Sequence, residues 1–273
     1  MTVAFFIASM TLLSPPEPIM ARAALVVDAG TGDVLFEQGE AGRQSIASIS
    51  KLMAVRVVLQ RGLSLDASTE LLASDVRLTA GGSRSRLVPG RQYLNRDLVH
   101  AALLGSDNRA VHALGRAVGL DAFGLVAAMN LEARVLEMHE TLFVDPTGIE
   151  HRNVSTTREV TLLLRAVLTD PVMSVVTRTA TWEAEARDRW GHPLRYRNTN
   201  LLVHDDDRDV LVGKTGFNSA AGWCVTSLLQ LRNGRKIVVV VLGSSTKYMR
   251  FRDARRLESW AGAQEWQTPQ ASL

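Results

Sequence analysis

Apolar and polar positions change period several times along the chain, and each change predicts an element. Ala24-Leu25-Val26-Val27-Asp28 and Asp33-Val34-Leu35-Phe36-Glu37 flank the glycine-containing Ala29-Gly30-Thr31-Gly32, which predicts a strand hairpin. Residues 51–61 are apolar on most faces and stop at Gly62, the pattern of a buried helix with a glycine end. Further on, Asn95 is placed to cap a helix over residues 96–104. Gly105 breaks it, and Asp107 can cap the next helix, patterned through Val111, Leu114 and Val118. Thr156-Thr157-Arg158-Glu159 reads as a capping box opening a helix that ends before Asp170-Pro171. The β-branched runs within 217–229 and 236–243 flank Arg232-Asn233-Gly234-Arg235, whose Asn-Gly pair predicts an antiparallel hairpin. Residues 248–260 read as a final helix.

Together these elements predict an α+β class. Strands before Ser48 and after about Val210 would form one antiparallel sheet, covered by the helix that follows Ser48 and by the C-terminal helix. The expected organisation is a leader over 1–23, one catalytic unit over 24–262 and a polar tail over 263–273. Within the unit, a sheet lobe (24–61 plus 205–262) would carry a mainly helical lobe (62–204). With 273 residues and 46% hydrophobic content, the chain can bury a substantial core.

Charge and special residues narrow the picture a little. A formal net charge of +3 describes a solvated surface and says little about partners. The single cysteine, Cys224, lies in a strand-like run and reads as core, and no internal disulfide can form. Asp205-Asp206-Asp207 beside Arg208 reads as a loop, and the six histidines show no His-Glu-x-x-His spacing. Neither a cofactor nor a metal is expected. Gly213-Lys214-Thr215 lacks the upstream glycine of a phosphate-binding loop, since Arg208 stands there, so nucleotide binding is rejected and no nucleic-acid partner is expected.

Three short motifs carry the candidate chemistry: Ser48-Ile49-Ser50-Lys51, Ser106-Asp107-Asn108 and Lys214-Thr215-Gly216. A serine hydroxyl is a weak nucleophile at neutral pH and needs a base to take its proton. A lysine three residues later shares its helix face, which makes Lys51 that base. An ordinary lysine would stay protonated, so burial and a second cation, Lys214, are expected to lower its pKa. Ser48 would sit at a helix N-terminus, whose unpaired amides favour negative charge developing on a substrate oxygen. A second Ser-x-x-Lys, at Ser244 to Lys247, has no companion motifs around it.

Order and spacing of this trio resemble the low-molecular-mass penicillin-binding proteins, the D-alanyl-D-alanine carboxypeptidase and endopeptidase family of bacterial cell walls. The resemblance spans about Leu25 to Trp260. It includes the residues around Ser48 from Ser45 to Met53, then Asp145-Pro146-Thr147-Gly148 with Asn153-Val154-Ser155-Thr156, and Tyr196-Arg197-Asn198-Thr199-Asn200. Those extra blocks are more similar to the endopeptidase branch. The resemblance implies a β-lactamase/transpeptidase-like fold. It also implies that Ser48 forms an acyl-enzyme with a D-alanine carbonyl, that Lys51 is the general base and that Ser106 relays a proton to the leaving amine. Asn108 would hold the substrate amide, Lys214 and Thr215 the carboxylate beside the scissile bond, and the backbone N–H groups of Ser48 and Phe217 the oxyanion, with Gly216 completing the strand motif. Partners so implied are peptidoglycan stem peptides and crosslinks, with β-lactam antibiotics as covalent inhibitors.

Two other readings compete. A class A β-lactamase needs a glutamate on a loop to activate deacylating water, and in Glu150-His151-Arg152-Asn153 the Glu and Asn stand too close for that loop. A non-catalytic penicillin sensor would ordinarily sit on a membrane-spanning segment, and no apolar run of about 20 residues occurs, so no transmembrane anchor is expected. No second β-rich domain or amphipathic anchor is read after residue 260, which again favours the endopeptidase branch. At the other end, residues 3–13 are apolar and precede Ser14-Pro15-Pro16-Glu17-Pro18 and Ala21-Arg22-Ala23, a small-residue cleavage pattern. No Lys or Arg precedes the apolar run, an atypical signal. The family resemblance implies a periplasmic location.

Overall fold

The computed structural model describes residues 18–39, 42–187 and 191–264. Most of the expected leader and nearly all of the polar tail lie outside those residues. The framework is a five-stranded antiparallel sheet in the order β2-β1-β11-β10-β9. Its strands are β1 (Ala23–Asp28), β2 (Val34–Gly39), β9 (Asp209–Asn218), β10 (Gly222–Gln230) and β11 (Lys236–Ser244). Both predicted hairpins form. The Asn-Gly turn closes with Gly234 at φ +82°, and Leu231 N–H donates to Arg235 O at 2.7 Å.

Both faces of the sheet are covered, which explains the unbroken apolar run of β11. Val238, Val240 and Leu242 face the helical side, whereas Ile237, Val239 and Val241 face α8 (Met249–Ala263) through Phe251, Ala254 and Leu257. On the helical side the covering element is α6 (Thr157–Leu168), which packs on β1, β9 and β11. This corrects the expectation that the helix after Ser48 lies on the sheet. That helix, α1 (Ser50–Gln60), packs chiefly against α3 (Asn95–Leu103), α4 (Asn108–Ala117), α5 (Ala122–Val135) and α6. Being surrounded by helices, it needs apolar side chains all round, and its sequence supplies them.

The remaining elements are short and belong to the helical side. They are β3 (Gln44–Ser45) paired with β6 (Val154–Ser155), β4 (Ser68–Glu70) paired with β5 (Gln92–Leu94), β7 (Thr181–Arg187) paired with β8 (Pro193–Arg197), α2 (Ala73–Leu78) and α7 (Pro171–Arg178). None of these three small two-stranded pairings was foreseen, because two to seven residues carry too little periodicity to register and β3 and β6 are far apart in the chain.

Two capping expectations also change. Asn95 is the first residue of α3 and its side chain does not cap it. The amide instead donates to Ser64 O at 2.8 Å and accepts from Thr69 Oγ1 at 2.6 Å, tying α3 to the loop before it. Thr156 does cap α6, accepting from Glu159 N–H at 3.1 Å. Glu159 does not return the bond; its carboxylate accepts from Glu140 N–H (2.7 Å) and Thr141 Oγ1 (2.5 Å), because a neighbouring loop competes for it. At the amino end, Ala23 opens β1, and Ile19 and Ala21 are buried in the α8-side core, so the folded unit takes in residues from Pro18 onward.

Candidate active site

The three motifs arrive from three different elements. Ser48 lies in a 3-10 turn, Ala47–Ile49, that runs straight into α1 and brings Lys51 one turn later onto the same face. Ser106 lies at the α3–α4 junction, and Lys214 on the edge strand β9. They converge on a cleft of about 790 Å³ lined by Ser48, Ser106, Asn108, Thr215, Gly216 and Phe217 among others. Lys51 and Lys214 are buried in its floor, at 0% and 1% exposure.

Close approach explains the glycines at this junction. A Cβ on Gly216 would stand 2.7 Å from Ile46 O and 3.3 Å from Ser48 N, so only glycine lets β9 pass the nucleophile turn. Gly148 is at φ +82°, and a Cβ there would fall 1.9 Å from Ala47 O. Ala47 and Ser106 are themselves at positive φ, +47° and +57°, so backbone strain is concentrated beside both serines.

Lys51 Nζ lies 2.8 Å from Ser48 Oγ and donates to Thr147 O at 2.6 Å. That carbonyl is aimed by Asp145, whose carboxylate accepts from Thr147 N–H (2.6 Å), Thr147 Oγ1 (2.5 Å), Gly148 N–H (3.1 Å) and Glu150 N–H (2.9 Å). Asn153 joins this loop to the nucleophile turn: its amide donates to Asp145 O and to Ser50 Oγ, and its Oδ1 accepts from Val144 N–H. Burial lowers the Lys51 pKa to about 7, against the opposing pull of the Asp145 and Asp107 carboxylates. The charge of Lys214 acts in the same direction as burial, as expected, because repulsion between two lysines is mutual. Lys214 is itself held well below the ordinary lysine range, by burial first and then by Lys51 and Arg250.

Around the second serine, Lys214 Nζ donates to Ser106 Oγ and to Thr215 O, both at 3.0 Å. Asp107 caps α4 as the sequence predicted, accepting from Arg109 N–H (2.9 Å) and Ala110 N–H (3.3 Å). Its other oxygen accepts from Ser85 Oγ at 2.6 Å. Asn108 then points its amide into the cleft against Gly82, where a Cβ would lie 2.4 Å from it. Thr215 Oγ1 is 2.7 Å from Thr199 Oγ1, and Thr199 N–H donates to Leu104 O at 3.1 Å, so residue 199 links the second and third motifs.

All eight residues singled out from the sequence meet here. Sequence reading assigned no role to Thr199, Asn153, Arg197 or Arg250, although the first three fell in noted blocks. Arg250, 34 residues beyond Gly216 and in no motif, enters from α8 and donates to Gly216 O (3.2 Å) and Cys224 O (3.0 Å). It also lies 5.1 Å from the Trp223 ring, which stacks on the half-exposed Phe217 with centroids 4.0 Å apart. Glu150, the one carboxylate weighed as a deacylating group, pairs with Arg152 at 3.6 Å and is not among the described residues that line the cleft.

A serine in contact with a buried lysine of low pKa, and a second serine on a second buried lysine, define an active-site serine acyl-transfer enzyme of the α+β transpeptidase fold. A family model described as D-alanyl-D-alanine carboxypeptidase, peptidase family S11, matches residues 9–246, and the chain belongs to that family. It is 36% identical over 260 residues to a D-alanyl-D-alanine endopeptidase of Escherichia coli (93% of this chain, 80% of that protein). A D-alanyl-D-alanine endopeptidase of Pseudomonas aeruginosa is also 36% identical, over 93% of this chain and 84% of its own length. Among solved structures, a D-alanyl-D-alanine carboxypeptidase from Mycobacterium tuberculosis superposes with a TM-score of 0.83 at 25% identity, covering 96% of this chain and 97% of that one. The Streptomyces K15 DD-transpeptidase gives the same TM-score and identity over 92% of this chain and all of its own.

Proposed function

We propose that the chain is a serine-type D-alanyl-D-alanine peptidase acting on peptidoglycan stem peptides through an acyl-enzyme, as an endopeptidase at D-alanyl-diaminopimelate crosslinks in preference to a carboxypeptidase. The observation that carries it is the convergence of the Lys51–Ser48 and Lys214–Ser106 pairs, 2.8 Å and 3.0 Å, on one cleft. Above a pH of about 7, Lys51 is neutral and takes the Ser48 proton as Oγ attacks the D-alanine carbonyl. The backbone N–H groups of Ser48 and Phe217 receive the oxyanion, beside the glycine that allows their approach. Ser106 passes a proton to the departing amine, the C–N bond breaks, and water later releases the acyl group.

Substrate binding follows from the same atoms. Asn108 holds the substrate amide, while Lys214 and the Thr215–Thr199 hydroxyl pair hold the carboxylate next to the scissile bond. An arriving carboxylate opposes the burial and like charges that depress the Lys214 pKa and restores its ammonium form. A β-lactam presents the same carbonyl and carboxylate, so it acylates Ser48 and remains attached.

The preference for crosslinks is supported by relatives named endopeptidases at 29–36% identity, against 26–27% for relatives named carboxypeptidases. Purified protein incubated with crosslinked muropeptide dimers and with pentapeptide, read by product mass, decides between them. Dimer cleavage is expected. Loss of a single D-alanine alone makes the enzyme a carboxypeptidase, and acylation without any product makes it a sensor. We propose a periplasmic working site, where such a substrate lies, and recovery of the native protein solely from the cytosolic fraction would contradict that.

A further inference from the structure

A second pocket opens past Asn218, at the end of β9 away from Lys214. It encloses about 670 Å³ and is lined by Arg22, Arg43, Gln44, Ser45 and His151, with Gly39 and Ala220 at its margin. Asn218 is the partition between the two spaces. It lines the reactive cleft, and its amide donates to Ser45 Oγ at 3.4 Å and to Gly148 O at 3.3 Å. Arg22 closes one wall by donating to the carbonyls of Ala220 (2.8 Å) and Ala221 (2.7 Å), and it has no carboxylate partner among the described residues. Carbonyl acceptors carry no formal charge, so these two bonds do not neutralise its positive charge. Arg43 shares its charge with Glu140 at 2.8 Å, with both side chains more than half exposed, so that pair is weak and exchangeable.

The polarity of the reactive cleft determines what reaches this pocket. On the peptidase reading above, on which this inference rests, the leaving-group carboxylate lies at Lys214 and Thr215 and the reacting carbonyl lies between Ser48 and Phe217. The acyl-donor part of the stem must then leave in the opposite direction, past Asn218 toward Ala220. An extended donor chain advances about 3.3 Å per residue, so its residues before the reacting D-alanine run along the end of β9 toward Ala220.

We propose that the pocket is a carboxylate subsite for the acyl-donor stem peptide, separate from the carboxylate site at Lys214. The ligand chemistry suits it. The diaminopimelate residue before the donor D-alanine ends in a free carboxylate, and the glutamyl residue before that carries another. Guanidinium groups bind such carboxylates in a fork geometry that ammonium groups lack. The pocket therefore makes the enzyme select acidic donor stems.

The test uses the full chain and three crosslinked substrates, with kcat/KM read from product mass. One carries diaminopimelate in the donor stem, one carries lysine there, which lacks only the side-chain carboxylate, and one has the donor glutamyl carboxylate amidated. Removing the recognised carboxylate is expected to lower kcat/KM about tenfold, the size of one charge-assisted hydrogen bond. The arm that falls identifies which carboxylate is bound. In Arg22→Gln, and in the double variant of Arg43→Gln with His151→Gln, that ratio is expected to approach one. The ratio is taken within each enzyme, so it does not depend on absolute yield, and the double variant serves if Arg22→Gln fails to fold. Equal kcat/KM on all three substrates, or an unchanged ratio in the double variant, overturns the subsite while leaving the peptidase standing. No product from any substrate, together with no penicillin adduct on Ser48, overturns both.

Discussion

Lys51 works as a base only because its surroundings remove its charge at neutral pH. Since burial brings its pKa to about 7, the second-order rate of acylation by a penicillin is expected to rise as pH passes through 7 and to level off above it. A rate flat between pH 6 and 9 would remove Lys51 as the base. Lys51→Arg keeps the positive charge and cannot release it, so acylation is expected to fall about a thousandfold. Asp145 acts on the same proton from behind. Its carboxylate favours the charged lysine, so Asp145→Asn is expected to shift the inflection to lower pH and, by loosening Thr147, to reduce the plateau. An inflection that stays in place or moves to higher pH would show that Asp145 only shapes the loop. The three motifs made Ser48, Lys51, Ser106, Asn108 and Lys214 legible in the sequence. Asp145 was visible only as part of a block, because hydrogen bonding to backbone amides leaves no sequence spacing of its own.

Elements were legible where local chemistry met no competitor. Asp107 caps α4 because its side chain reaches the free amides of the next turn. Asn95 had the same local credentials, but Thr69 and Ser64 took its amide, and a contact 26 residues away in sequence is invisible to a local pattern. Glu159 was drawn to Glu140 and Thr141 in the same way. Thr156→Ala is therefore expected to cost about 1 kcal/mol, as a single cap would, measured by denaturant unfolding. The sharper case is β9 against the nucleophile turn. Gly216→Ala puts a methyl group against Ile46 O and Ser48 N, which is expected to slow acylation about a hundredfold by displacing the turn. Wild-type rates in that variant would mean that the strand and turn do not have to meet so closely.

At the scale of the whole molecule, the sheet is enclosed on both faces, and its amino edge depends on residues that precede β1. Ile19 and Ala21 are buried against α8, Met20 N–H donates to Asp253 Oδ2 at 3.0 Å, and Arg22 holds the β9–β10 turn. A chain beginning at Ala24 is expected to lose about 3 kcal/mol or more, from the buried isoleucine and the lost hydrogen bonds, and to melt several degrees lower. An unchanged melting temperature would show that residues 18–23 lie on the fold without supporting it.

The sequence by itself determined the α+β class, both hairpins of the sheet, the helices α1, α3, α4, α6 and α8 but not α5, and the identity of the three reactive motifs. These depend on periodicity, turn residues and spacing, which act over a few residues and survive in a linear string. Only the tertiary structure decided that α6 rather than α1 covers the sheet, that Arg250 reaches the site from α8, and that burial is the largest cause of the lowered Lys51 pKa. Each of those is a property of segments far apart in the chain brought within a few ångströms, where packing, desolvation and the field of distant charges take effect.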